Sequence, residues 1–209
     1  MPPSDGRSPA PPDRPPYIGL TGGIGAGKSE ALAALARLGA AVLSTDAVVH
    51  DLYVTDAGVR DAVVERFGQS VAPGGVVDRP ALASVAFAAP EDRAWLERLL
   101  WPRVAARVGA WRTLTEQADP APRALVVEVP LLFESGMADD FDATIAIVAD
   151  EALRRERAAG RGHRALDERA ARQLSQREKA AKATYVISND GDLPQLEHKL
   201  SAVLGMLNR

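Results

Sequence analysis

Eight residues, Gly22-Gly23-Ile24-Gly25-Ala26-Gly27-Lys28-Ser29, constrain this chain more than any others. They match G-x-x-x-x-G-K-S without a mismatch. The flanks narrow the fold further. Tyr17-Ile18-Gly19-Leu20-Thr21 reads as a short buried strand. From Ser29 to Leu38 the pattern is helical, with Leu32, Leu35 and Leu38 on one face, and Gly39 supplies the stop. In a strand–loop–helix unit of this kind, backbone N–H groups converge on phosphate oxygens with no Cβ in the way. The helix N-terminus adds partial positive charge. The candidate phosphate site is therefore Gly22, Gly23, Ile24, Gly25, Ala26, Gly27, Lys28, Ser29 and Glu30. Lys28 is placed to reach the β- and γ-phosphates, and the Ser29 hydroxyl to ligate Mg2+. The loop implies a nucleoside triphosphate with Mg2+. It does not name the group that receives the phosphate.

A second apolar run, Ala41-Val42-Leu43-Ser44-Thr45, ends at Asp46. Strand, helix and strand within about 30 residues make a βαβ unit and hence a parallel sheet. Helical periodicity then fills Ala47–Tyr53, Ala57–Phe67, Arg79–Phe87 and Pro90–Gln117, with joints at Gly74-Gly75 and Pro80 and a possible kink at Pro102. Three more apolar runs, Ala124–Val129, Thr144–Val148 and Tyr185–Ser188, lack alternation, as strands buried on both faces do. The fold class is α/β, a phosphate-loop kinase fold with a five-stranded parallel sheet flanked by helices. The expected organisation is a proline-rich disordered tail over 1–16 and a nucleotide-binding core over 17–46, 119–150 and 184–209. A helical insertion over 47–118 binds the acceptor, and a charged lid spans 151–183. Leu193–Asn208 closes the chain, with Leu196, Leu200, Val203, Leu204 and Leu207 at core spacing.

Composition removes several classes. Net charge is −3, which gives no basic field for nucleic acid. No apolar run approaches the length of a membrane span, and the first residues hold no apolar core of a secretory signal. There is no cysteine, so disulfides, thiolate metal sites and cysteine nucleophiles are excluded, and a cytoplasmic location fits. His50, His163 and His198 are scattered without ligand spacing.

Three further features carry chemistry. Asp46 closes the second strand, 18 residues after Lys28. Ligands of open parallel sheets sit beyond the carboxyl ends of the strands, so a carboxylate here can take the proton of an acceptor hydroxyl. It can equally cap the helix that follows. Glu128, near the end of the third strand, has the position of a carboxylate that holds Mg2+ through a water. Seven arginines, from Arg154 to Arg172, surround Gly160-Arg161-Gly162. Most of them read as a solvated face with i,i+4 pairs, but one or two can brace the phosphates, with Arg161 the leading candidate. Trp95, Trp101 and Trp111 read first as packing within the helical insertion.

With these motifs quoted, the chain resembles dephospho-coenzyme A kinases. Thr21-Gly22-Gly23-Ile24-Gly25 before Gly27-Lys28, Asp46-Ala47, and Arg79, Leu82 and Phe87 are similar to that family's pattern. So are Val129-Pro130-Leu131-Leu132-Phe133-Glu134, Gln173, Glu178-Lys179 and Val186-Ile187-Ser188-Asn189-Asp190-Gly191. The resemblance runs over about residues 17–205. It implies ATP as donor, dephospho-CoA as acceptor at its ribose 3′-hydroxyl, and Asp46 as base. It also implies Lys28 and Arg161 as catalytic cations and Arg79, Phe87 and Leu131 as acceptor contacts. The chain departs from the family at Ser44, where an aspartate is frequent, at Trp101, where a histidine is usual, and at Thr184, where an aspartate is often found. The lid is about three residues short. Two other readings of the loop are another nucleoside or nucleotide kinase and a nucleotide-dependent switch without an acceptor.

Overall fold

The computed structural model describes residues 14–86, 88–159 and 173–208. They fall into two compact units, one of residues up to Leu43 and from Arg112 onward, the other Ser44–Trp111.

The first unit is built on five strands in the order β2-β3-β1-β4-β5. These are β1 Tyr17–Gly22, β2 Ala41–Ser44, β3 Leu125–Glu128, β4 Ala143–Val148 and β5 Tyr185–Ser188. The sheet is parallel, and β1 lies at its centre with Leu20 beside Glu128 on β3 and Gly22 beside Ile147 on β4. Alternation along β1 serves two layers. Ile18 and Leu20 join a core with Ala31, Ala34 and Leu35 of α1 (Lys28–Arg37), and with Leu196, Leu200, Val203 and Leu204 of the closing helix Leu193–Leu207. Tyr17, Gly19 and Thr21 point the other way. A Cβ on Gly19 would press to 3.0 Å of both Leu132 and Phe141, so a larger residue at this central strand position requires those two side chains to shift. Phe141 in turn stacks on Tyr17 at 4.5 Å between ring centroids.

One expectation about burial is corrected. β5 and β2 are edge strands, so they lack the double cover that β1, β3 and β4 enjoy. Val186 is 46% exposed and no residue of β2 is fully buried. Two residues ahead of Tyr17 also bond to the first unit. Arg14 forms a bidentate pair with Asp142 at 2.7 and 2.8 Å, and Pro16 accepts a hydrogen bond from the Leu125 N–H.

The second unit contains α2 Thr45–Thr55, α3 Ala57–Phe67, α4 Arg79–Ala86 and the greater part of α5 Pro90–Glu116. Asp56 caps α3 by accepting from Val59 N–H at 3.0 Å, and Asp78 accepts from Ala81 N–H at 2.9 Å at the start of α4. Gly74 and Gly75 take positive φ at the joint between them. Pro80 falls in the first turn of α4, where no N–H is required. Pro102 lies inside α5, and the Arg103 guanidinium donates to the Leu99 carbonyl at 2.7 Å beside it. Trp95 packs edge-on to Phe67 under the Arg66 guanidinium. Trp101 is not core: it is 53% exposed.

In the first unit again, α6 covers Glu151–Ala159 and α7 covers Gln176–Lys182; the closing helix is α8. Ser175 and Glu178 form a reciprocal capping box on α7.

Candidate active site

The loop between β1 and α1 is held by contacts far along the chain. Gly22, Gly25 and Gly27 have φ between +75° and +158°. Lys28 Nζ donates to the carbonyls of Gly22 and Gly23, each at 3.1 Å, which keeps its ammonium at the mouth of the loop. Arg154, on α6, lies against Gly23 and donates from Nε to the Ile24 carbonyl at 2.9 Å. Its own backbone fills the space a Cβ on Gly25 would need. The Asn189 amide, 7% exposed, donates to the Ala26 carbonyl at 3.0 Å and occupies the place of a Gly27 Cβ. Arg157 donates to the Asn189 carbonyl at 3.1 Å. Two guanidinium groups therefore stand at the loop's edge. Ser29 is exposed in the first turn of α1. The Glu30 carboxylate runs along that helix to Arg37 at 3.5 Å and not to the loop.

Glu128 is the last residue of β3 and 6% exposed. Its register with Leu20, and the bond from Val129 N–H to the Leu20 carbonyl at 2.9 Å, fix it two residues from the start of the loop on the neighbouring strand. The loop, Ser29 and Glu128 thus belong to one unit and one end of the sheet. Leu131, half-buried, lies in the turn after β3, where its carbonyl accepts from Ser135 N–H.

The remaining predicted residues lie elsewhere. Asp46 does not end β2. The strand stops at Ser44, the N-cap position of α2, and Asp46 is an exposed residue of that helix's first turn. It caps nothing with its side chain in that position, but a negative charge near a helix N-terminus is favourable. Arg79 is exposed at the start of α4, ahead of the buried Leu82. Asp46 and Arg79 both belong to the helical unit. Phe87 and Arg161 lie outside the described residues, as do Arg164, Arg169 and Arg172. Of the described arginines in that run, Arg155 pairs with Glu151 one turn back, as a solvated helix face would.

The family model of dephospho-CoA kinase matches residues 16–195. The chain belongs to the dephospho-CoA kinase family. It is 38% identical over 206 residues to a dephospho-CoA kinase of Deinococcus radiodurans, covering 96% of this chain and 98% of that one. A crystal structure of a Thermus thermophilus protein superimposes with a TM-score of 0.69 at 34% identity, over 92% of this chain and 98% of its own. Dephospho-CoA kinase from Campylobacter jejuni superimposes at 0.62 with 20% identity, covering 91% and 96%, a likeness of fold. The protein is accordingly a kinase of the phosphate-loop class.

Sequence reading expects one or two of the arginine run at the phosphates and prefers Arg161; of the described members, Arg154 addresses the loop directly and Arg157, three residues on, reaches its edge through Asn189. Lys179 stands in the family pattern, but the sequence gives it no role. It is fully buried, and its ammonium meets Thr21, Pro130 and Glu134 behind the loop. Removal from water holds its pKa below the ordinary lysine value, against the pull of Glu134 in the other direction. Thr184, at a departure from the family pattern, exchanges backbone and hydroxyl bonds with Thr144 at 3.0 and 3.1 Å, which joins the starts of β4 and β5 without a carboxylate. Among the described residues no helix is long and apolar enough to cross a membrane, and no three His, Asp or Glu side chains gather as a metal site.

Proposed function

We infer that the protein transfers the γ-phosphoryl group of ATP to the ribose 3′-hydroxyl of dephospho-CoA, the last step of coenzyme A synthesis. The observation that carries this reading is family membership across residues 16–195 together with an intact phosphate loop. A cysteine-free chain suits a reducing cytoplasm.

Each residue has a task in the reaction. The loop N–H groups and Lys28 bind the β- and γ-phosphates and oppose the charge that gathers on the leaving ADP oxygen. Arg154 and Arg157 extend that positive edge. Asp46 accepts the proton of the acceptor hydroxyl as its oxygen bonds to phosphorus and the bond to the ADP oxygen breaks. Arg161 is the lid cation that braces the transferring group. Arg79, Phe87 and Leu131 hold the acceptor, and the helical unit supplies the length of surface that so extended a molecule needs.

The donors at the end of the sheet fit Mg2+. Ser29 offers a hydroxyl and Glu128 a carboxylate, both hard oxygens. Mg2+ commonly takes one or two protein oxygens and completes its shell with phosphate and water. When bound, it neutralises phosphate charge.

The test offers acceptors one at a time. Dephospho-CoA should be phosphorylated with kcat/KM at least about 10²-fold above AMP or adenosine, because remote contacts position its ribose. Phosphorus NMR should place the new phosphate on the 3′-oxygen. Equal activity on AMP, or a 5′-diphosphate product, would overturn the assignment.

A further inference from the structure

Lys179 has no solvent exposure, and the chemistry above gives it no task. Its ammonium has three hydrogens and three acceptors, one on β1 and two in the turn after β3. The Pro130 carbonyl lies at 2.5 Å, Thr21 Oγ1 at 3.3 Å and the Glu134 carboxylate at 3.0 Å. Thr21 Oγ1 itself donates to the Pro130 carbonyl at 3.3 Å. Glu134 also accepts the Leu174 N–H at 2.7 Å, just before α7. A buried ion pair is a weak source of stability, since apolar side chains of similar volume hold a helix to a sheet at least as well. What the ammonium adds is placement. Thr21 is the residue before the phosphate loop, on β1. Pro130 is two residues after Glu128, at the start of the turn that follows the neighbouring strand β3. The same nitrogen therefore ties the root of the loop to the root of the carboxylate.

We propose that Lys179 is a positioning residue that braces the spacing which β1–β3 pairing gives the phosphate loop and Glu128, by bonding Thr21 and Pro130 at once, and thereby tunes the affinity for the metal–triphosphate pair. The inference rests on the metal-holding reading of Glu128.

The readout is binding rather than turnover: the gain in ATP affinity on adding Mg2+, measured by calorimetry, with thermal melting on the same samples. Thr21→Val keeps the shape of the side chain and removes the hydroxyl. Lys179→Met with Glu134→Leu removes both charges together, so neither charge is left stranded. In Thr21→Val and in the double variant the Mg2+-dependent gain should fall by about 10–100-fold, the usual scale for groups that orient metal ligands. Thr21→Ser, which restores the hydroxyl, should recover it. Glu128→Gln should lose the gain as well. If Glu128→Gln loses the gain while Thr21→Val and the double variant keep it in full, Lys179 is structural and the proposal is wrong. If Glu128→Gln itself keeps the gain, the metal reading fails and the proposal falls with it. Should the double variant not fold, the Thr21→Val and Thr21→Ser pair decides by the same criterion.

Discussion

At Gly27 the phosphate loop has little room for a side chain, and the cost of Gly27→Ala can be worked from two separate sources. The first is backbone. At φ 90° and ψ 28° the residue is in the left-handed region, which costs an L-residue about 1–2 kcal/mol. The second is displacement. The new methyl would occupy the place of the Asn189 amide nitrogen, a movable side-chain end that must swing away. Its bond to the Ala26 carbonyl would then be lost in a buried setting, which costs about 1–3 kcal/mol. The sum, about 2–5 kcal/mol, is a large share of the stability of a domain. Asn189→Ala alone forfeits the second term only. Combining the two substitutions forfeits it once, so the double variant should be less destabilised than the sum of the singles by about 1–3 kcal/mol. Urea denaturation of all four proteins measures this directly. Additivity within about 0.5 kcal/mol would show that the two residues do not compete for one space, and the account of the loop's packing would be wrong.

Other predictions follow from the same site. Lys28→Ala should lower kcat/KM by about 10²–10⁴ while leaving the melting temperature close to the parent, because it removes a cation from the transferring phosphates; near-parent turnover would remove Lys28 from the chemistry. Asp46→Asn should lower turnover by about 10²–10⁴ with ATP binding unchanged. The residue is exposed on α2, so its stability cost should stay within about 0.5 kcal/mol, and a lower melting temperature with intact turnover would mean a structural role instead. Burial pushes the Tyr17 hydroxyl up to about 12, above its unfolded value. A raised pKa stabilises the fold below the unfolded value and ceases to do so as pH rises through the folded one. Melting temperature should therefore drop between pH 10 and pH 12 in the parent, and drop less in Tyr17→Phe; equal slopes would mean that Tyr17 does not titrate with unfolding.

The parts of the fold legible in the sequence are those decided within a few residues. The loop, its strand and α1 follow from glycine spacing and a leucine face, and α3 was read at Ala57–Phe67, where it lies. Strand edges were not legible. Val186 on β5 is as apolar as Ile147 on β4, and only the order β2-β3-β1-β4-β5 makes one an edge and the other interior. At Asp46 a local rule competed with another. Thr45 is β-branched and extends the apolar run, but Ser44 takes the N-cap position and the chain turns into α2 at Thr45, two residues before Ala47.

The loop shows the same division inside a single motif. Its pattern states that residues 22 and 27 are glycine and leaves residue 25 open; it does not state what would collide with anything larger. At Gly25 the obstacle is the backbone of Arg154, and at Gly27 the amide of Asn189. Both come from segments that follow the strands β4 and β5, more than a hundred residues downstream. Lys179 is legible still less. In a helix of sequence QREKAAK, a lysine between a glutamate and two alanines reads as solvated, and only the docking of α7 under β1 places its ammonium on Thr21 and Pro130. A phosphate loop can thus be found from eight residues, yet the contacts that give it shape are spread over the whole sheet. Substitutions on α6, α7 and the turn after β5 should therefore alter nucleotide binding even where they touch no nucleotide.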